Sequence, residues 1–250
     1  MLWMKKFSLI CAALLLAACA TTAAPPPEER DPADPWEPFN RQIHSFNMAA
    51  DRAVLRPVAR GYRRVTPSPV RTGVRNFFNN LRSPVVIVNL LLQGRPGESL
   101  EHFERFFVNS IYGIGGIFNI ADKADMPEHE ADLGMTFAAW GWDESRYLVM
   151  PFMGPSTVRD STGFVGDSFV NPVWELAIQE GSFGLLGLNI IQTRASLLPL
   201  DAQMEQAFDD YIFLRDGFLQ RRLFLIQGEE ADLPDYDMYL DDEDWEDWDD

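Results

Sequence analysis

Histidine and cysteine are scarce in this sequence, with three of the former and two of the latter in 250 residues. His44, His102 and His129 stand in no short metal-ligand spacing of the His-Glu-x-x-His kind. A Gly-x-Ser-x-Gly elbow and a phosphate-binding P-loop are both missing. Gly113-Ile114-Gly115-Gly116 lacks the last glycine of a dinucleotide fingerprint and follows a helical pattern rather than a strand. Asp122 and Asp125 read as loop-capping residues sooner than as a glycosidase dyad. These absences speak against hydrolase, nucleotide and metal chemistry, so neither an enzyme nor a cofactor is expected. No stretch after the leader reaches the ~18 apolar residues of a spanning helix. Acids are missing too, from Arg52 all the way to Gly97.

What is present begins with the first twenty residues. Two lysines in Met1 to Lys6 precede a run that is apolar from Phe7 to Leu16 apart from Ser8. This is the pattern of a secretory signal, and the run is too short to span a bilayer. Leu16-Ala17-Ala18-Cys19 resembles the bacterial lipobox, in which the cysteine is acylated and becomes the mature N-terminus. The expectation is a signal peptide over residues 1–18 and lipid on Cys19, with Ala20 leaning toward the outer membrane. Cys11 would be lost with the signal, leaving no second cysteine for a disulfide. Acyl chains at about 0.8 kcal/mol per buried CH₂ would anchor such a protein almost irreversibly.

The net charge of −17 is unevenly spread. Residues 229–250 hold 13 acids and no base, and read as a solvated tail in which Trp245 and Trp248 stand three apart. Residues 19–33, with Pro25-Pro26-Pro27, read as a flexible tether. Between them lies one expected domain, residues 34–228. Its acid-free stretch carries nine arginines, of which Arg52, Arg56 and Arg60 repeat every fourth residue on one helix face. Two readings stand side by side. The arginines face phospholipid headgroups or another anionic surface, or they form a solvated face paired with acids such as Glu98, Glu101 and Glu104. Nucleic acid is not expected as a partner of an exported chain.

Periodicity points to helices. Ile43, Phe46, Ala50, Val54, Val58, Tyr62 and Val65 recur at helical spacing, with Pro57 expected to kink or divide the helix. A second face, Val74 to Leu81, is expected to end near Pro84. Val85 to Leu92 is compatible with a buried strand or a buried helix segment. Leu100, Phe103, Phe107 and Ile111 define an amphipathic helix with His102 on a charged, solvated face. His44 is a candidate structural partner of Asp51. The glycine-rich Tyr112–Asp122 segment fits a buried turn or an apolar loop lying in lipid. Phe137 to Trp142 is read as pairing with Tyr147 to Phe152 in a hairpin. Ser156 or Thr157 is a candidate helix cap, with Asp160 in the first turn. Helices are expected over Pro172–Glu180 and, as one or a pair, over Asp201–Gln227.

At Asp34-Pro35-Trp36-Glu37-Pro38-Phe39-Asn40-Arg41 the chain resembles the opening of the MlaA (VacJ) lipoproteins. The likeness runs on through Arg56-Pro57-Val58-Ala59, Asn76-Phe77-x-x-Asn80-Leu81 and Val88-Asn89-x-x-Leu92-Gln93-Gly94. It continues in Arg105-Phe106-Phe107-x-Asn109-Ser110, Gly113-x-Gly115-Gly116-x-x-Asn119 and Pro151-Phe152-x-Gly154-Pro155-Ser156-Thr157-x-Arg159-Asp160. Each motif alone is weak, and the ordered set over about residues 34–227 is specific. The resemblance implies a mainly α fold, a ring of kinked amphipathic helices in one membrane leaflet around a central channel, with a small hairpin loop. It implies an outer-membrane lipoprotein on the periplasmic face. Such a protein removes phospholipids misplaced in the outer leaflet and hands them to a periplasmic carrier of the MlaC type. It associates with trimeric porins and performs no covalent chemistry.

Phe39, Asn40, Phe46 and Asn47 on the first helix are then channel candidates, as are Gly113, Gly115 and Gly116 in the loop. Gly141 matches one glycine of the family's flexible loop, and Asp143 stands where a second is expected. Arg52, Arg56 and Arg60 become headgroup candidates. The competing classes are a structural, porin-associated lipoprotein without lipid transfer, and a lipid hydrolase.

Overall fold

In the computed structural model the described residues are 31–179 and 183–228. The leader, Cys19, the tether up to residue 30 and the acidic segment 229–250 lie outside them. Asp34 starts a turn into helix α1 (Glu37–Ala50), with Pro38 in the first turn, where its missing N–H costs nothing. A π-helical turn (Asp51–Leu55) then joins α1 to α2 (Arg56–Val65). Pro57 explains it: proline cannot donate to the preceding turn, and the chain re-registers, with the Arg56 N–H reaching Asp51 O. The expected division of this helix is therefore present as a wide turn.

Helix α3 (Ser68–Leu92) runs straight on through Pro84. The helix does not stop at that proline, and Val85 to Leu92 is its C-terminal segment, not a strand, with Val85, Val86, Asn89 and Leu90 buried and Val88, Leu91 and Leu92 exposed. Asn89 donates its side-chain amide to Val85 O at 2.9 Å. Gly94, at φ +74°, makes the turn into α4 (Pro96–Ile111), the principal packing partner of α3. After the short α5 (Ile120–Lys123), Asp132 caps α6 (Leu133–Ala139) by accepting from Met135 N.

The hairpin is shifted from its expected place. Strands β1 (Tyr147–Met150) and β2 (Gly154–Thr157) pair antiparallel, Tyr147 opposite Thr157. Residues 137–142, expected as the first strand, instead end α6, because the Asp132 cap starts a helix there. Thr157 caps α7 (Val158–Ser168) by accepting from Asp160 N, as its spacing predicts. There follow α8 (Pro172–Gln179), α9 (Phe183–Leu197), a single 3-10 turn, α10 (Asp201–Gln206) and α11 (Asp210–Gln227). α9 packs on α2 and α3, and α11 on α6 and β2.

The interior is unusual for a water-soluble chain. Among the described residues, 17 polar or charged residues are buried against 14 hydrophobic ones, while 33 large hydrophobic residues are exposed. Buried polar groups are stable only when hydrogen-bonded. Apolar packing is confined to small clusters. Val86, Leu90 and Ala131 form one, and Tyr147, Val149 and Tyr211 another, with Ile43, Phe218 and Leu219 against it.

Candidate functional site

Helix α4 carries this inversion most clearly. Its buried face is Ser99, His102, Arg105 and Asn109, and its exposed face is Leu100, Phe103, Phe107 and Ile111. Phe103 is 46% exposed and its neighbour His102 is 5% exposed. The sequence reading had His102 solvated. The correction follows from the partners available inside: Arg105 donates to Met126 O at 2.9 Å and pairs with Asp122, and Asn109 donates to Asn119 Oδ1 and accepts from Ala121 N. Polar side chains that satisfy each other inward leave the apolar stripe facing out. Burial, then the nearby His129 and Arg105, push the His102 imidazole down to about 4.

The apolar face continues into the glycine-rich turn. Gly113 and Gly116 are buried, while Tyr112, Ile114, Ile117 and Phe118 are exposed. Ile114, Gly115 and Gly116 all have positive φ. A Cβ at Gly116 would overlap the Asn80 side chain, so only glycine lets this turn close on α3. The two readings of the segment thus combine: its backbone is buried as a turn and its apolar side chains point away from the protein.

α1 shows the same inversion with a different purpose. Asn40, His44, Asn47 and Asp51 lie on one side, at helical spacing. Asn40 is fully buried, donating to Asp34 Oδ1 and Tyr147 O and accepting from Val149 N. Asn47 donates to Met150 O and accepts from Phe152 N. The two asparagines therefore bond the hairpin backbone at both ends of β1. Phe46 meets Phe152 edge to face at 5.1 Å, and Phe39 is exposed. His44 does not partner Asp51. It lies 3.3 Å from Asp210 and edge-on to Tyr211, because Asp51 is taken by two arginines.

Those arginines separate Arg56 from Arg52 and Arg60. Arg194 holds Asp51 with two bonds, at 2.6 and 2.9 Å, and also reaches Asp201, while Arg56 contacts Asp51, Asp201 and Glu205. Burial alone would raise the Asp51 carboxyl, but hydrogen bonds from Arg194 and Arg56 outweigh it and hold it below the ordinary range. Arg56 is thus a structural cation. Arg52 and Arg60 are exposed, the π-turn having broken the regular four-residue face.

Gly141, at φ +101°, lies between α6 and β1 in open space. The loop after it is held by Arg159, which donates to the carbonyls of Trp142 and Asp143 and accepts nothing in return. Among the described residues the predicted site residues accordingly form two separate groups, the α1–hairpin brace and the α4–α5 turn, with Arg52, Arg56, Arg60 and Gly141 apart from both. Sequence reasoning missed Phe152, at φ +63° on the hairpin tip, Tyr211, whose hydroxyl donates to Asp34, and Arg215, whose guanidinium lies 3.7 Å from the same carboxylate. The visible signal was the polar spacing 40, 44, 47, 51, which marks an inward stripe.

A family model described as MlaA lipoprotein matches residues 32–225. The chain is 36% identical over 229 residues to the intermembrane phospholipid transport system lipoprotein MlaA of Escherichia coli K12, covering 90% of this chain and 91% of that one. It is 32% identical over 212 residues to the protein of the same name in Haemophilus influenzae, covering 81% and 84%. A solved structure described as "Structural basis for maintenance of bacterial outer membrane lipid asymmetry" superposes with a TM-score of 0.68 at 34% identity, covering 79% of this chain and all of that one.

Proposed function

We infer, for a chain that belongs to the MlaA lipoprotein family, that it is an outer-membrane-associated lipoprotein of intermembrane phospholipid transport. It serves to maintain outer-membrane lipid asymmetry. Its substrate is phospholipid, taken from the outer leaflet where it is misplaced and passed toward the periplasm. The observation that carries this reading is the inverted α4. Phe103 and Phe107 point outward over buried His102 and Arg105, an arrangement that suits hydrocarbon outside and a polar path inside.

The finer reading adds the anchor and the partners. Lipid on Cys19 tethers the body to the inner leaflet, where no helix of the described residues is long and apolar enough to cross a membrane. A ring of the kinked helices encloses the lipid path, a trimeric porin supports it, and a soluble carrier of the MlaC type receives the lipid. The protein positions and releases lipid without making or breaking covalent bonds.

The test is deletion of the gene with assay of outer-leaflet phospholipid and SDS resistance. Surface phospholipid should rise and resistance fall, and both should be restored by the intact gene but not by a Cys19→Ala form. Unchanged asymmetry on deletion would overturn the reading.

A further inference from the structure

Helix α2 has three different long faces. A helix turns ~100° per residue, so Val58 and Val65 share one line and Arg60, Arg63 and Arg64 gather on the far side. Ala59 is buried between them, and Tyr62 hydroxyl reaches Gln192 of α9 at 2.8 Å, which fixes the inward face. Val58 and Val65 are exposed. The arginine face borders a cleft of about 390 Å³ lined by Arg60, Arg63, Arg64, Leu198 and Asp201.

The three guanidiniums differ from the arginines that brace the fold. Arg41, Arg56, Arg105, Arg194, Arg215 and Arg222 all contact carboxylates. Among the described residues no carboxylate pairs with Arg60, Arg63 or Arg64, although Asp201 lies in the same cleft. Asp201 is engaged instead by Arg194 at 2.8 Å, with Arg56 at 3.4 Å. The C-terminal carbonyls of α2 would oppose an anion here. Arg71 covers them, donating to the carbonyls of Arg63 and Thr66. The cleft is left with three positive forks that no carboxylate pairs and an apolar residue in Leu198.

We propose that Arg60, Arg63 and Arg64 form a binding site for a phosphate group, such as the phosphodiester of a lipid headgroup. Arginine presents paired N–H donors that match phosphate oxygens. Leu198 in the cleft wall, with Leu197 and Leu200 exposed beside it in the chain, gives the site an apolar border, as a phosphate attached to acyl chains requires. The site is additional to the proposed transport path, and binding at it is measured independently of membrane asymmetry, so either statement can fail alone.

The full-length chain, extracted from membranes in non-ionic detergent, is titrated by native mass spectrometry with phosphatidylglycerol, with diacylglycerol of the same chains and with inorganic phosphate. The R60Q/R63Q/R64Q variant should bind phosphatidylglycerol about tenfold or more weakly. A control of equal charge loss, R75Q/R82Q/R146Q, should change binding less than about threefold. The single variants R60Q, R63Q and R64Q, each expected to give part of the loss, keep the test readable if the triple variant does not fold. Displacement of the lipid by inorganic phosphate supports a site for phosphate as such. Retention of the lipid against inorganic phosphate supports a headgroup site. Equal weakening in the two triple variants, or binding of diacylglycerol as tight as that of phosphatidylglycerol, overturns the proposal.

Discussion

Asn40 donates its side-chain amide to the carbonyl of Tyr147 at 3.2 Å, across 107 residues of sequence. With the bonds to Val149 N and Asp34 Oδ1 this one side chain joins the first helix, the turn before it and the hairpin. Asn40→Ala would strand a buried N–H and two buried oxygens. It should lower stability by about 2–4 kcal/mol, and chemical denaturation of the detergent-solubilised protein measures this. Asn40→Leu, similar in size, should be no better, since the loss lies in the polar partners.

Farther along the same face, Asn47 and Phe46 hold the hairpin tip through Met150, Phe152 and the aromatic contact. Phe46→Ala together with Asn47→Ala should free the tip without unfolding the body. Outer-leaflet phospholipid should then change at normal protein level. Unaltered asymmetry at normal abundance would show that the brace is structural alone.

The outward stripe of α4 predicts a split between stability and membrane binding. Phe103→Ser and Phe107→Ser together should cost about 1.5–3 kcal/mol in detergent-free denaturation of a Cys19→Ala form, because about half of each ring packs on protein. The same pair should weaken that form's partition onto phospholipid vesicles at least tenfold, given about 1.5–3 kcal/mol for each fully buried apolar side chain. A large stability loss with unchanged partition would mean that the stripe faces protein.

His102 makes acid a specific stress. Its folded-state value, about 4, lies below the ordinary 6.5 of an unfolded histidine. Between those values the unfolded chain binds more protons. Stability is then complete above pH 6.5 and is lost as pH falls toward 4, by up to ~1.4 kcal/mol per unit. Comparison of melting between pH 7 and pH 4.5 should show a smaller loss for His102→Gln than for the parent chain. The paired carboxylate Asp51, held low, loses its contribution only in stronger acid.

Arg194→Ala should cost about 3–5 kcal/mol, because Asp51 and Asp201 would be left close together with Arg56 as their remaining cation. Arg194→Lys should recover only part, since one ammonium cannot supply the two parallel bonds to Asp51. Thermal denaturation of both variants checks the order.

The leader pattern, the lack of catalytic motifs, the charge asymmetry and the helical spacing of nearly every element were legible in the sequence, because each depends on neighbours within a few residues. So was the Thr157 cap. The span of α3 was not: proline disfavours a helix locally, but packing of Val85, Val86 and Leu90 against α4 and α6 outweighs that preference. The hairpin partner was misplaced because β1 is completed by Asn40 and Asn47, more than a hundred residues upstream.

The sequence by itself determined that helices with two chemically distinct faces would form, and that a family of lipid-transport lipoproteins shares their motifs. Only the tertiary structure decided which face turns inward. A periodic pattern is symmetric in this respect, since it records that two faces differ and not which solvent each meets. Arg105 and Asn109 are inside because polar partners from the α5 turn and the loop after it satisfy them there, His102 shares their face, and Phe103 on the opposite face is left half exposed by the described residues.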